Sequence, residues 1–344
     1  MLSKNDYVDI KSEKMHYSFG YYSQNCWVDS TRVVLVRSES GEISRDTEWR
    51  VKTELVLCDV NTGNERVIAE GVNAWFDYAV FGETVYYIKD DELLALNVNT
   101  GAAKTMFREP GIAMPHVTKD GKFLSVFHCT REKSEFFRIS AEYGNGEVIF
   151  STAFDEPFPY ANHGMISPTD PDILFFSHEG DTKHISDRLW IYDRRQARAC
   201  NIAKQRRGEN GEVLDCYGHE CWSQDGKGLY FVRYRESEAP SGICYVDIST
   251  GAAELVYGSH DYWHVSVSPD GKYLAADTRN LGGDTSGVVV IDKASGKEVL
   301  ADKVKTSFRH PCHPHPAFSP DNSKLIYHIL NEHEKCSVRI RFLK

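Results

Sequence analysis

The stretch HVSVSPDGKYLAAD, residues 264–277, reads as two short strands around a tight polar turn. HVSVS alternates apolar and small polar residues, and S-P-D-G brings the residue types that turn conformations need. The same unit recurs as MPHVTKDGKFLSVF at 114–127, HGMISPTDPDILFF at 163–176, HECWSQDGKGLYFV at 219–232 and HPAFSPDNSKLIYH at 315–328. A second hairpin, with an Asp or Asn four residues before a Gly, follows in LVLCDVNTG (55–63), LLALNVNTG (93–101), CYVDISTG (244–251) and VVVIDKASG (288–296). Four strands per unit at a spacing of about 45 residues is the signature of propeller blades. The predicted fold is therefore all-β, a seven-bladed β-propeller of four-stranded blades. The blades are expected to begin near Trp27, Trp75, Met114, His163, His219, His264 and His313. The first and last elements are expected to share a blade, which closes the ring without a free edge. No Pro/Ser-rich linker divides the chain, so 1–344 reads as a single propeller domain.

A formal net charge of −10 leaves no basic field for nucleic acid. An anionic ligand would need local positive charge against that background. No apolar run is long enough to span a bilayer, and the N-terminal stretch MLSKNDYVDIKSEKMHYSF lacks the apolar segment of a secretory signal. Nine cysteines are scattered singly, with no C-x-x-C pair, which argues against a disulfide framework or a thiolate zinc site. A cytoplasmic protein with reduced thiols is the expectation.

Aligned on the Ser or Thr that opens each turn (Thr118, Ser167, Ser223, Ser268, Ser319), the repeats carry Met114, His163, His219, His264 and His315 four residues earlier. Four consecutive units thus place His at one phase. In a propeller the first strand of each blade lines the centre, so equal phase points these side chains at a shared space. A lone strand His is more often structural, and repeat families do reuse a packing His. The segment RHPCHPHPAFSP (309–320) adds His310 and His313. In H-P-H the two imidazoles lie on one face of an extended segment that Pro stiffens. His264, His310, His313 and His315 are the predicted ligands of a divalent metal. His219, with no second His beside it, is the candidate general base, the plain alternative being a structural His bonded to Glu220 or backbone.

The segments NHGMISPTDPDILFFSHEG, RLWIYD, GHECWSQDG and HPHPAFSP, taken together with YYSQNCW at 21–27, resemble the oligogalacturonate lyases. Those are seven-bladed propeller enzymes of pectin degradation. The resemblance implies β-elimination at a 4-O-linked uronate oligosaccharide. It places the base that removes the C5 proton on His219, the assisting Arg on Arg188, and metal ligands on His264, His313 and His315. The implied metal is Mn2+. The family places Gln where this chain has His310, and an all-imidazole set makes Zn2+, Ni2+ or Fe2+ competitive. His163, His178 and Glu179 fall in matching motifs as substrate-binding or supporting residues, with Arg309 as a further positive charge. The alternatives are a lyase or hydrolase on a different uronate-containing glycan, or a non-catalytic binding propeller of WD40 or TolB type.

Overall fold

A computed structural model describes residues 6–21, 23–39, 53–279, 283–307 and 309–343. Its regular structure is β throughout, in seven four-stranded antiparallel sheets, the blades of a seven-bladed β-propeller. Blade 1 draws its strands from 16–70, blade 2 from 78–108, blade 3 from 112–152, blade 4 from 161–203, blade 5 from 217–257 and blade 6 from 262–305. Blade 7 joins Ala317–Phe318, Lys324–Leu330 and Cys336–Phe342 to the N-terminal strand Tyr7–Ile10. The chain divides into two compact units, Met1–Lys104 with His264–Lys344, and Thr105–Trp263. Among the described residues no helix is long and apolar enough to cross a membrane.

The recurring turn has a local cause. In blades 3, 5, 6 and 7 the opening hydroxyl donates to the Asp two residues on: Thr118 to Asp120 (2.7 Å), Ser223 to Asp225 (2.7 Å), Ser268 to Asp270 (2.8 Å) and Ser319 to Asp321 (2.7 Å). The same oxygen accepts the backbone N–H five residues on, at Phe123, Gly228, Tyr273 and Lys324. One hydroxyl therefore closes the hairpin from both sides. In the second hairpins Asp59, Asn97, Asp247 and Asp292 each accept two backbone N–H bonds, and the following Gly63, Gly101, Gly251 and Gly296 have φ of 68–73°. A Cβ is disfavoured there, which explains the x-D-x-x-x-G spelling.

Blade 1 differs from the sequence expectation. Its first strand is His16–Ser18, upstream of Trp27, which makes only an isolated bridge to Val33. That strand is three residues long and is not followed by a Ser-x-Asp-Gly turn, so the repeat alignment passes over it. All nine cysteines are free.

The shared blade is fastened by charge. Tyr7–Ile10 pairs antiparallel with Cys336–Phe342, and Arg339 grips both oxygens of Asp9 at 2.7 Å while reaching Asp302 at 3.1 Å. Its guanidinium also lies 3.7 Å over the Tyr7 ring. Arg339→Ala is expected to cost about 1–3 kcal/mol, from the loss of charge-assisted bonds in a mostly buried setting. Urea unfolding checks this.

Buried histidine makes the fold sensitive to acid. His116 donates from Nδ1 to the Met114 carbonyl at 3.1 Å, and burial pushes its pKa down from 6.5 to about 4. As pH falls through 6.5 the unfolded chain takes up a proton that the folded chain refuses until about 4. Stability should therefore fall across that window, by up to about 3 kcal/mol from this group. His116→Phe should show a shallower loss over the same window in pH-dependent unfolding.

Candidate functional site

Four of the five positions that the repeat aligned share a backbone feature. Met114, His163, His219 and His315 have φ of 48°, 52°, 57° and 46°. In blades 3, 4 and 5 the first two strands lose register there, between Ala113 and His116, Asn162 and Met165, and Gly218 and Cys221. Each is a bulge with one residue in the left-handed region, a device that re-aims a side chain. The backbone strain is about 1–3 kcal/mol per site and persists only where neighbours fix it. At His163 the fixing group is visible: Ser125 Oγ donates to the Gly164 carbonyl and accepts the Ile166 N–H, both at 3.0 Å. His264 lies outside the set of positive-φ residues.

In the first unit His264, His313 and His315 converge. One nitrogen from each lies within 4.8 Å of the others, and all three side chains are buried. His264 Nε2 and His315 Nε2 are 3.1 Å apart. Two nitrogens each roughly 2.1 Å from one ion and at right angles would be about 3.0 Å apart. Burial, then the neighbouring imidazoles, hold His264 and His315 well below the usual histidine range, in the neutral form that ligates. Asp277, wholly buried, accepts His264 Nδ1 at 2.9 Å. That bond fixes Nδ1–H and leaves the His264 Nε2 lone pair toward His315. Asp277 also accepts the backbone N–H of His264 (2.7 Å) and of His315 (3.1 Å), and burial raises its pKa to about 7. These residues fit a divalent ion.

The H-P-H segment is tied from its other side. His328 accepts the Phe19 N–H on Nε2 (3.1 Å) and donates from Nδ1 to the His313 carbonyl (2.9 Å), while its own N–H bonds the Pro314 carbonyl. His310 lies outside the converging trio. It is exposed, stacked 5.5 Å from Trp75, with its ring 4.3 Å from His313. Arg309 is exposed at the start of the turn that leads into His310.

The second unit holds a separate charged cluster. Arg188, 7% exposed, donates from Nε to the wholly buried Glu220 and from Nη2 to Glu179 at 2.6 Å. Against the cost of burial, the two carboxylates raise the guanidinium pKa further, well above its usual value. His163 Nε2 lies 3.8 Å from Glu179, and burial keeps its pKa below the ordinary value. The Arg188 backbone N–H donates to Gln205, in the stretch of chain that follows RLWIYD. That stretch forms the strand Arg198–Ala203 and then buries Gln205 behind Arg188. His178 bonds Asp187 (2.8 Å) and the Phe158 carbonyl (2.9 Å) and stacks on Phe154, as a structural histidine would. His219 bonds the Tyr234 hydroxyl at 2.8 Å.

The chain aligns with the oligogalacturonide lyase of Pectobacterium atrosepticum at 22% identity over 286 residues, 71% of each chain. It aligns with the oligogalacturonate lyase of Dickeya dadantii at 23% over 225 residues, 60% of this chain and 55% of that one. A solved oligogalacturonate lyase in complex with manganese superposes with a TM-score of 0.82, covering 100% of this chain and 95% of the other at 17% identity. The chain is thus similar to oligogalacturonate lyases in sequence, and to a solved one in fold. No protein-family model matches it.

Sequence reasoning passed over Asp277, His328, Glu220 as the partner of Arg188, and Tyr234. A signal for the first two exists. Thirteen residues after the aligned phase stand Phe127, Phe176 and Val232 in blades 3 to 5, but Asp277 and His328 in blades 6 and 7. The polar exceptions mark the blades that carry the imidazole trio.

Two outcomes follow from this geometry. Asp277→Asn should lower metal affinity about 10–100-fold, by losing the carboxylate that orients His264. Calorimetric titration with Mn2+ and Zn2+ measures it. Arg188→Ala should cost about 3–5 kcal/mol of stability, because it strands the buried charge of Glu220 and removes the cation beside the partly buried Glu179. Denaturant unfolding measures that.

Proposed function

We propose that the chain is a metal-dependent lyase that cleaves 4-O-linked uronate oligosaccharides, oligogalacturonate-like, by β-elimination. The observation that carries this reading is the buried imidazole trio, oriented by Asp277, in a chain related to the oligogalacturonate lyases in sequence and fold. Held by His264, His313 and His315, a divalent ion would supply a Lewis-acid contact to the uronate carboxylate, where enolate-like charge develops as C5 loses its proton. Mn2+ is the metal of the reading, with Zn2+, Ni2+ or Fe2+ accommodated by a nitrogen-only donor set. His310, exposed beside the trio, is the residue to add a fourth nitrogen.

His219 is the base in this reading. The bulge turns its ring away from the regular strand alternation, and the imidazole removes the C5 proton. Arg188 assists as a fixed positive charge. Because Glu179 and Glu220 already bond it, its charge is largely offset, and its role is to order the pocket as much as to attract the anion. His163 and Glu179 contact sugar hydroxyls in this reading. Arg309, exposed, meets substrate charge further out, and His178 supports the loop at Phe158.

The test is absorbance near 235 nm, which reports the unsaturated uronate that only elimination makes, on a panel of short oligouronides. Turnover should appear on oligogalacturonides. His219→Ala should lower kcat by at least roughly 10²-fold, the low end for a positioned general base. Its metal content should stay at the wild-type level. No absorbance change on any uronide would overturn the lyase reading and leave a metal-binding propeller. Normal turnover by the His219 variant would move the base elsewhere.

A further inference from the structure

We propose that Tyr234 is a positioning residue that locks the His219 imidazole in the tautomer with its proton on Nδ1, leaving Nε2 as the reactive nitrogen. The proposal deepens the reading of His219 as base and rests on it. Tyr234 is the first residue beyond the blade 5 strand Gly228–Arg233. Its phenol oxygen is 2.8 Å from His219 Nδ1, and the two rings meet edge to face at 5.5 Å and 78°.

Four observations show that this contact is built into the fold. The Tyr234 backbone is pinned by its N–H to the Cys216 carbonyl (2.9 Å) and by the Ser237 N–H on its own carbonyl (3.0 Å). The ring tip occupies the space that a side chain at residue 218 would need. A Cβ on Gly218 would stand 2.1 Å from the phenol oxygen and 2.8 Å from Cζ. The glycine before the histidine in G-H-E-C-W thus has a physical reason, the close approach of Tyr234. The bulge between Gly218 and Cys221 puts His219 at φ 57°, which commits its side chain to this direction. Trp263 meets the imidazole from another side at 6.4 Å.

An imidazole has two distinct nitrogens, and the bond made by one sets the state of the other. A phenol can donate or accept. If His219 is the base, its free nitrogen Nε2 must carry a lone pair, which requires Nδ1–H to donate and the phenol oxygen to accept. With Nδ1–H donating to that oxygen, Nε2 carries the lone pair that proton abstraction requires. The reverse arrangement would place the proton on Nε2 and block it. Tyr234 so plays for His219 the part that Asp277 plays for His264.

Tyr234→Phe tests this, since it keeps the ring over Gly218 and removes only the oxygen. The readouts are the 15N shifts of the His219 ring in histidine-labelled protein, assigned with His219→Gln, and kcat and KM on a short oligogalacturonide. Wild type is expected to show a pyrrole-type Nδ1 and a pyridine-type Nε2. The Phe variant is expected to shift toward Nε2–H. Its kcat should drop at least roughly tenfold while staying clearly above that of His219→Ala, with KM unchanged. Gly218→Ala, which displaces the phenol, should move the tautomer the same way. An Nε2–H tautomer in wild type, or a Phe variant with unaltered shifts and kcat, overturns the proposal. So does a Phe variant as inactive as His219→Ala, which would make Tyr234 itself a proton carrier. The nitrogen shifts need no turnover, so an inactive wild type would defeat the lyase reading while the tautomer lock was still decided.

Discussion

One carboxylate organises the imidazole cluster. Asp277 sits in the second strand of blade 6 with no exposure to solvent, and it accepts three bonds: from His264 N, His264 Nδ1 and His315 N. Burying a carboxyl is costly unless its oxygens are bonded, and these donors offset that cost. In the same stroke they fix the tautomer of one imidazole and the backbone of the next. His328 performs the matching task on the far side of H-P-H, through the carbonyls of His313 and Pro314. The density of histidines in RHPCHPHPAFSP is therefore a density of held positions. Pro limits the chain, Asp277 and His328 grip it at both edges, and the imidazoles of His313 and His315 turn toward His264.

The propeller repeat supplies those positions at a cost that it already carries for other reasons. Met114 has the same left-handed backbone and the same register slip as His163 and His219, yet it bears no titratable group. The strained phase is thus a property of the blade, stabilised by neighbours such as Ser125, and not a mark of chemistry. Chemistry enters through which side chain occupies the phase and what stands opposite it. His264 has Asp277, His219 has Tyr234, and His163 has Glu179 beside Arg188.

Much of this was legible in the sequence because it is local. The Ser-x-Asp-Gly turn, the x-D-x-x-x-G hairpin and the seven blades follow from hydrogen bonds between residues two to five apart. The convergence of His264, His313 and His315 followed from repeat phase and from H-P-H spacing. The pairings were not legible. Arg188 reaches Glu220 across 32 residues and two blades, where composition offers several carboxylates with equal claim. Glu220 adjoins His219 in sequence, but the bulge between Gly218 and Cys221 breaks the strand's alternation there, so adjacency does not say which group Glu220 meets. Blade 1 was misplaced because its short first strand carries none of the turn chemistry that identifies the others.

The proposed function rests on three imidazoles that would collect an ion for a uronate carboxylate. Pulsed electron paramagnetic resonance on Mn2+-loaded, 15N-histidine-labelled protein, with a short oligogalacturonide carrying 13C at its carboxylates, tests it directly. Manganese should couple to the nitrogens of the His264, His313 and His315 trio and, on adding the sugar, to carboxylate 13C. A hydrated Mn2+ signal with no histidine nitrogen coupling, or nitrogen coupling with no carbon coupling in the presence of sugar, would contradict it.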